Sequence, residues 1–160
     1  MRPMRRKDRE VTNKTVIESI LKIADYGMLG LSDEGIPYVI PLNYVWHNNS
    51  IFFHCANEGR KLEIISQNPC CSFCVVTDGE VVEGSTPCNW GFSYKSVMIF
   101  GKISVIKDQQ EKSDAMIALM KHFAGPDFNH EFSKEELNSV TVLKLNVEEM
   151  SCKVRPAKKA

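Results

Sequence analysis

The residues in this chain with the clearest capacity for chemistry are Gly59, Arg60 and Lys61. They follow an alternating apolar run at 51–55 that reads as a strand. They precede Leu62, Ile64 and Ile65, which recur with helical spacing until Asn68 and Pro69 stop the helix. That order places the glycine and both cations at the amino end of a helix. Free backbone N–H groups and the positive end of the helix dipole favour an anion there, such as a phosphate. Arg60 offers a planar fork and Lys61 a compact point charge to the same group. Taken alone, a Gly-Arg-Lys triplet is more often a pair of solvated cations, and the strand in front of it is what favours the anion site. His54 stands near the end of that strand. An imidazole with an unperturbed pKa of about 6.5 suits proton relay, substrate binding or phosphate capping near neutrality, or else is a satisfied polar residue at a sheet rim.

The six cysteines, at 55, 70, 71, 74, 88 and 152, suggest less. Cys71 and Cys74 form a C-x-x-C, but inside a β-branched and aromatic run whose residues three apart point to opposite faces. A zinc knuckle would need a second pair, and none is present. Buried thiols acting as small hydrophobes in a reducing compartment fit better. His47 reads as a turn residue, and His122 and His130 as helix-end and loop residues. No spacing of His, Cys, Asp or Glu supports a metal site, and no side chain looks like a nucleophile with a base beside it.

Stepping outward, 160 residues with 43% apolar content suit one domain over 1–160 with a proper core. A basic arm at 1–11 holds Arg2, Arg5, Arg6, Lys7 and Arg9, and a basic tail occupies 153–160. Formal net charge is zero, so no global field draws nucleic acid or a membrane surface. The arm lacks interleaved aromatic residues, which argues against a nucleic-acid barrel. No apolar stretch reaches the roughly 18–20 residues that span a bilayer, and the amino terminus lacks a secretion signal. These features lead to the expectation of a soluble cytoplasmic protein.

The elements that must position the site read as follows. Thr12 or Asn13 caps a helix with Val16, Ile17, Ile20, Leu21 and Ala24 on one face, ended by Gly27. A strand at 28–31 and a tight turn at 33–35 lead to a long strand at 36–46, in which Pro37 and Pro41 mark an edge, bulge or kink. The turn at 47–50 returns the chain into the strand at 51–55. After the helix at 60–67 come a strand at 71–76, a turn at Asp78 and Gly79, and a loop at 80–92 around a brief strand. A strand at 97–106 carries Gly101 where a bulge or a close approach is expected. Asp108 caps a helix to Phe123 with Ala115, Leu119 and Met120 inward. A helical turn at 133–137 and a last strand at 140–147 follow. Six strands joined mostly by short turns, with helices outside, predict an α+β fold: a six-stranded antiparallel split β-barrel with peripheral helices.

Several of these segments, in this order, resemble the pyridoxamine 5′-phosphate oxidase-like split-barrel flavoproteins, and in particular the branch of nitroimidazole-resistance proteins. The segments are residues 4–10, 35–44, 52–56 with 59–61, 94–97 with Phe100 and Gly101, and the final strand leading to Lys153. The resemblance implies a homodimer holding FMN at the subunit interface. It places backbone groups of Pro41, Leu42 and Asn43 at the polar edge of the isoalloxazine ring, and His54, Cys55 and Ala56 near the phosphate and ring. Arg60 and Lys61 would hold the phosphate, and Tyr94, Ser96 and Val97 would approach from the strands that close the site. Cys55 departs from the serine or threonine often found there, and Cys152 from a glycine before the final lysine.

The implied function is an FMN-dependent oxidoreductase. It would pass electrons from a reduced nicotinamide or flavin donor to a small acceptor such as a nitroaromatic, with His54 as the candidate catalytic residue. The alternative is a non-catalytic split barrel that binds flavin, or haem through a histidine.

Overall fold

A computed structural model describes residues 3–77 and 79–157. Arg2 of the basic arm, Asp78 of the expected turn and residues 158–160 of the tail lie outside the described residues. Ten strands and four α-helices are formed among those described. Eight strands make one antiparallel sheet in the order β3 (Ile36–Asn43), β2 (Tyr26–Asp33), β6 (Cys70–Thr77), β9 (Tyr94–Val105), β10 (Thr141–Arg155), β5 (Ser50–Cys55), β4 (Val45–His47), with β1 (Glu10–Val11) paired to β10. A separate pair, β7 (Val81–Val82) and β8 (Gly91–Phe92), stands apart from it. The large sheet curls until β3 meets β5, which makes the expected α+β split barrel with more than six strands. Among the described residues no helix is long and apolar enough to cross a membrane.

The local sequence explains most element ends. Asn13 accepts a hydrogen bond from Val16 N–H and starts α1 (Lys14–Ile23). Asp33 ends β2 (Tyr26–Asp33) and Ile36 begins β3 (Ile36–Asn43). Between them Glu34 and Gly35 both take positive φ, at 50° and 89°, the two-residue turn that matches strand twist. Asn48 and Asn49 do the same at 47° and 58° between β4 (Val45–His47) and β5 (Ser50–Cys55). Pro37 and Pro41 sit on β3 at the end of the sheet, where two prolines of one parity withhold no ladder donor. Asp108 caps α3 (Gln109–Ala124), and a Ser133–Glu136 capping box starts α4 (Lys134–Asn138).

Three expectations fail for physical reasons. Residues 36–46 do not form one strand: Tyr44 turns inward, fully buried, and its hydroxyl donates to the Leu21 carbonyl at 2.8 Å. Gly27 does not end α1 but lies in β2, where the Phe73 ring covers it so closely that a Cβ would sit 2.3 Å from Cζ. The last strand does not stop at 147. β10 (Thr141–Arg155) runs on through an irregularity between Val147 and Glu149, so Lys153, Val154 and Arg155 of the expected tail belong to the sheet. On α1, Val16 is also outward rather than inward.

The barrel core joins Leu29, Phe53, Phe73, Val97, Ile99 and Leu143 to Ile20 and Leu21 of α1 and to Ile64 and Ile65 of α2 (Arg60–Gln67). A second cluster lies behind β5 and β10, where Phe52 and Val142 pack on Ala115, Met116 and Leu119 of α3. Gly101, on β9 (Tyr94–Val105), faces the irregularity in β10. A Cβ there would lie 2.0 Å from the Asn146 carbonyl oxygen, which is backbone and cannot swing away. Gly101→Ala is therefore expected to cost about 1–3 kcal/mol of stability. Denaturant titration should show a lower midpoint at unchanged slope, and an unchanged midpoint would mean that the two strands separate freely here.

Candidate flavin site

Candidate residues from β3, β5 and α2 meet where the barrel is split. β4 continues the direction of β3 and pairs Val45 with Phe52, so the end of β3 at Asn43 runs level with the end of β5 at His54. Alternation along β3 turns Pro41 and Asn43 outward while Leu42 is half-buried against the core. Along β5 it separates two neighbours: Cys55 packs toward the core and His54 is exposed on the other face. The pair His54 and Cys55 therefore does not converge on one group from one side. Ala56 is exposed in the turn that follows.

The turn into α2 has the expected form. Gly59 occupies the N-cap position with φ 125°, and no side chain caps the helix. Leu62 N–H already donates to the Gly59 carbonyl at 2.9 Å, which leaves the N–H groups of Arg60 and Lys61 without an intrahelical acceptor. Lys61 has no carboxylate partner among the described residues, and its charge reaches the Cys55 thiol. Burial still pushes that thiol above its ordinary range, and Lys61 only offsets part of the rise. Cys55 is therefore a neutral, half-buried donor beside a cation.

Arg60 differs from the sequence expectation. Its Nε and Nη2 donate to one oxygen of Asp33, at 3.2 and 2.9 Å, and its guanidinium lies 4.9 Å from the centre of the Tyr38 ring. Only the Nη1 side of the fork is left for another group. Asp33 and Tyr38 were not foreseen. Tyr38 lies on β3, and the tight turn that Asp33 opens carries its carboxylate to the helix start.

Tyr94, Ser96 and Val97 lie elsewhere. β2 and β6 (Cys70–Thr77) separate β9 from β3, so three strand spacings of about 4.8 Å put them roughly 14 Å away along the sheet. Val97 is fully buried in the barrel, so its side chain is closed to any ligand. Ser96 points to the opposite face, where it lines a cavity of about 650 Å³ beneath the amino-terminal arm. One chain thus divides the predicted residues into two groups.

The donor set at the split suits a phosphorylated, planar ligand. Two cations and free N–H groups gather at one end, and an edge strand with unpaired backbone runs from it. Among the described residues no group of three or more His, Cys, Asp or Glu side chains could hold a metal ion. Cys71 and Cys74 diverge as their spacing requires, one buried inward and one half-exposed.

Comparison with known proteins agrees with this architecture. A family model described as pyridoxamine 5′-phosphate oxidase matches residues 13–154. A candidate 5-nitroimidazole antibiotic resistance protein from Bacteroides thetaiotaomicron is 30% identical, with a TM-score of 0.80 over 91% of this chain and 86% of that one. The flavocytochrome Anf3 from Azotobacter vinelandii shares the fold at 19% identity, with a TM-score of 0.84 over 97% of this chain and 73% of that one. A FAD and haem binding protein from Mycobacterium smegmatis does so at 18%, with a TM-score of 0.85 over 95% and 77%. No functionally curated protein matches the chain. By the span of the family match and by its likeness to the Bacteroides protein, this chain belongs to the pyridoxamine 5′-phosphate oxidase family.

Proposed function

We propose that the chain binds FMN at the split of the barrel and acts as an oxidoreductase, taking electrons from a reduced nicotinamide or flavin and passing them to a small acceptor such as a nitroaromatic. The observation that carries this reading is the convergence of Lys61, Arg60 and the uncapped start of α2 beside the open edge of β3. Flavin, when bound, supplies the redox chemistry. The chain supplies the rest. Lys61 and the free side of Arg60 take the phosphate, the backbone at Pro41 to Asn43 meets the polar edge of the ring, and His54 exchanges a proton at its imidazole with the acceptor or solvent. Purified protein is expected to be yellow and to release FMN rather than FAD on denaturation. A colourless protein that takes up no added FMN overturns the reading. FMN that binds but is reduced no faster than free FMN, across several donors, leaves the non-catalytic alternative.

A homodimer belongs to the same proposal. On β9, Val97, Ile99 and Ile103 are covered by the barrel itself, while Phe100 and Val105 are exposed. The exposed apolar face extends from there across four strands, through Phe100, Val76, Met28 and Val39, the first 43% exposed. A two-fold pairing of this face would cover it and bring Tyr94 and Ser96 of each protomer toward the split of the other. Flavin occupancy is then expected to fall as the dimer dissociates on dilution, followed by light scattering with absorbance. A monomer holding FMN stoichiometrically would contradict the arrangement.

A further inference from the structure

One cavity lies apart from Gly59, Arg60 and Lys61. It lies where the amino-terminal arm meets β6, β9 and β10, with a volume of about 650 Å³, within the range of small-molecule sites. Met4 and Met98 give it apolar walls, and Ile17 and Met150 reach it from the core side. Thioethers adapt their shape and make favourable contacts with aromatic rings. Two cations reach it, Arg5 from the arm and Lys153 from β10, and neither has a carboxylate partner among the described residues. The only carboxylate of the lining, on Glu10, is held by Lys7 at 3.0 Å. Cys74 and Cys152 also line the cavity, and burial raises both thiols, which keeps them neutral near pH 7. The lining is therefore apolar, rich in sulfur, and positive by one charge (Arg5 and Lys153 against Glu10).

We propose that this cavity binds a small aromatic anion, with its ring among the methionines and its carboxylate or sulfonate on Lys153 and Arg5. Ser96 lines the cavity and also stands on the strand that the dimer would bring to the flavin. That the bound anion is the electron acceptor rests on the flavin reading, whereas the binding of the anion does not.

The test uses 4-nitrobenzoate and nitrobenzene, which share a nitroaromatic body and differ in charge, titrated calorimetrically into flavin-free and FMN-loaded full-length protein. One 4-nitrobenzoate per chain is expected, bound about tenfold more tightly than nitrobenzene, the equivalent of one charge-assisted hydrogen bond. Lys153→Met and Arg5→Met should each reduce that preference while leaving nitrobenzene binding and the melting midpoint unchanged. Lys153→Arg should keep it. No binding of either compound, equal affinities in the native chain, or a preference that survives both methionine substitutions would overturn the proposal. Anion binding by a protein that takes up no FMN would leave the cavity standing and remove the flavin reading. FMN uptake without anion binding would do the reverse.

Discussion

Lys61→Ala is expected to weaken FMN binding by roughly ten- to a hundredfold, the equivalent of one charge-assisted contact of about 1.5–3 kcal/mol. Lys61 is the cation at the start of α2 that no carboxylate holds among the described residues, so a bound phosphate would have its charge undivided. Arg60 is already engaged by Asp33 and Tyr38, so Arg60→Ala should cost less, and the order of the two effects is itself a prediction. Riboflavin lacks the phosphate and should bind all three proteins alike. Fluorescence titration of FMN and riboflavin checks both points. A matching loss for riboflavin would show that the substitutions damage the ring pocket, and parental FMN affinity in both variants would remove the anion assignment.

Phe73→Ala is expected to destabilise the fold by about 3–5 kcal/mol. Phe73 is fully buried at the centre of the barrel. Its ring meets Tyr44 at 5.0 Å and Phe53 at 5.1 Å, both edge-on, and it closes over Gly27. Two of its neighbours cannot fill the gap: Gly27 has no side chain, and Tyr44 is anchored through its hydroxyl to Leu21. Total stability of a domain is about 5–15 kcal/mol, so the variant should lose much of it. Phe73→Leu keeps most of the volume and should lose far less. Chemical denaturation of the two variants checks this. A small loss for the alanine variant would mean that the barrel collapses around the void.

The turns and caps were the most legible part of the sequence because their signals are local. Asp33 to Gly35, the Asn48–Asn49 pair, the Asn13 and Asp108 caps and the Ser133–Glu136 box all act within four residues. The strand-to-helix turn at Gly59 is of the same kind. What stayed hidden depends on distant partners. Nothing within residues 36–46 says that Tyr44 will leave the strand to reach Leu21. The acidic pair Glu148 and Glu149 conceals that β10 continues, since Gly101 on the neighbouring strand is what makes room for its irregularity. At the site, Arg60 and Lys61 look equivalent in sequence, and Asp33, 27 residues away, makes them unequal. Ser96 was expected to approach the flavin, and the arm that roofs it could not be read from a charge run.

The place of β10 in the sheet also bears on how the protein is made. β10 lies between β9 and β5 and also receives β1, yet its residues 141–155 leave the ribosome after every other strand. Until they emerge, the partner edges of β9 and β5 stand open, and residues 10 and 11 wait for partners at 152 and 153. Barrel closure must therefore wait for β10 to emerge, with long-range pairing setting a slow step. Nascent chains halted before residue 141 should expose two apolar strand edges and depend on chaperones for solubility.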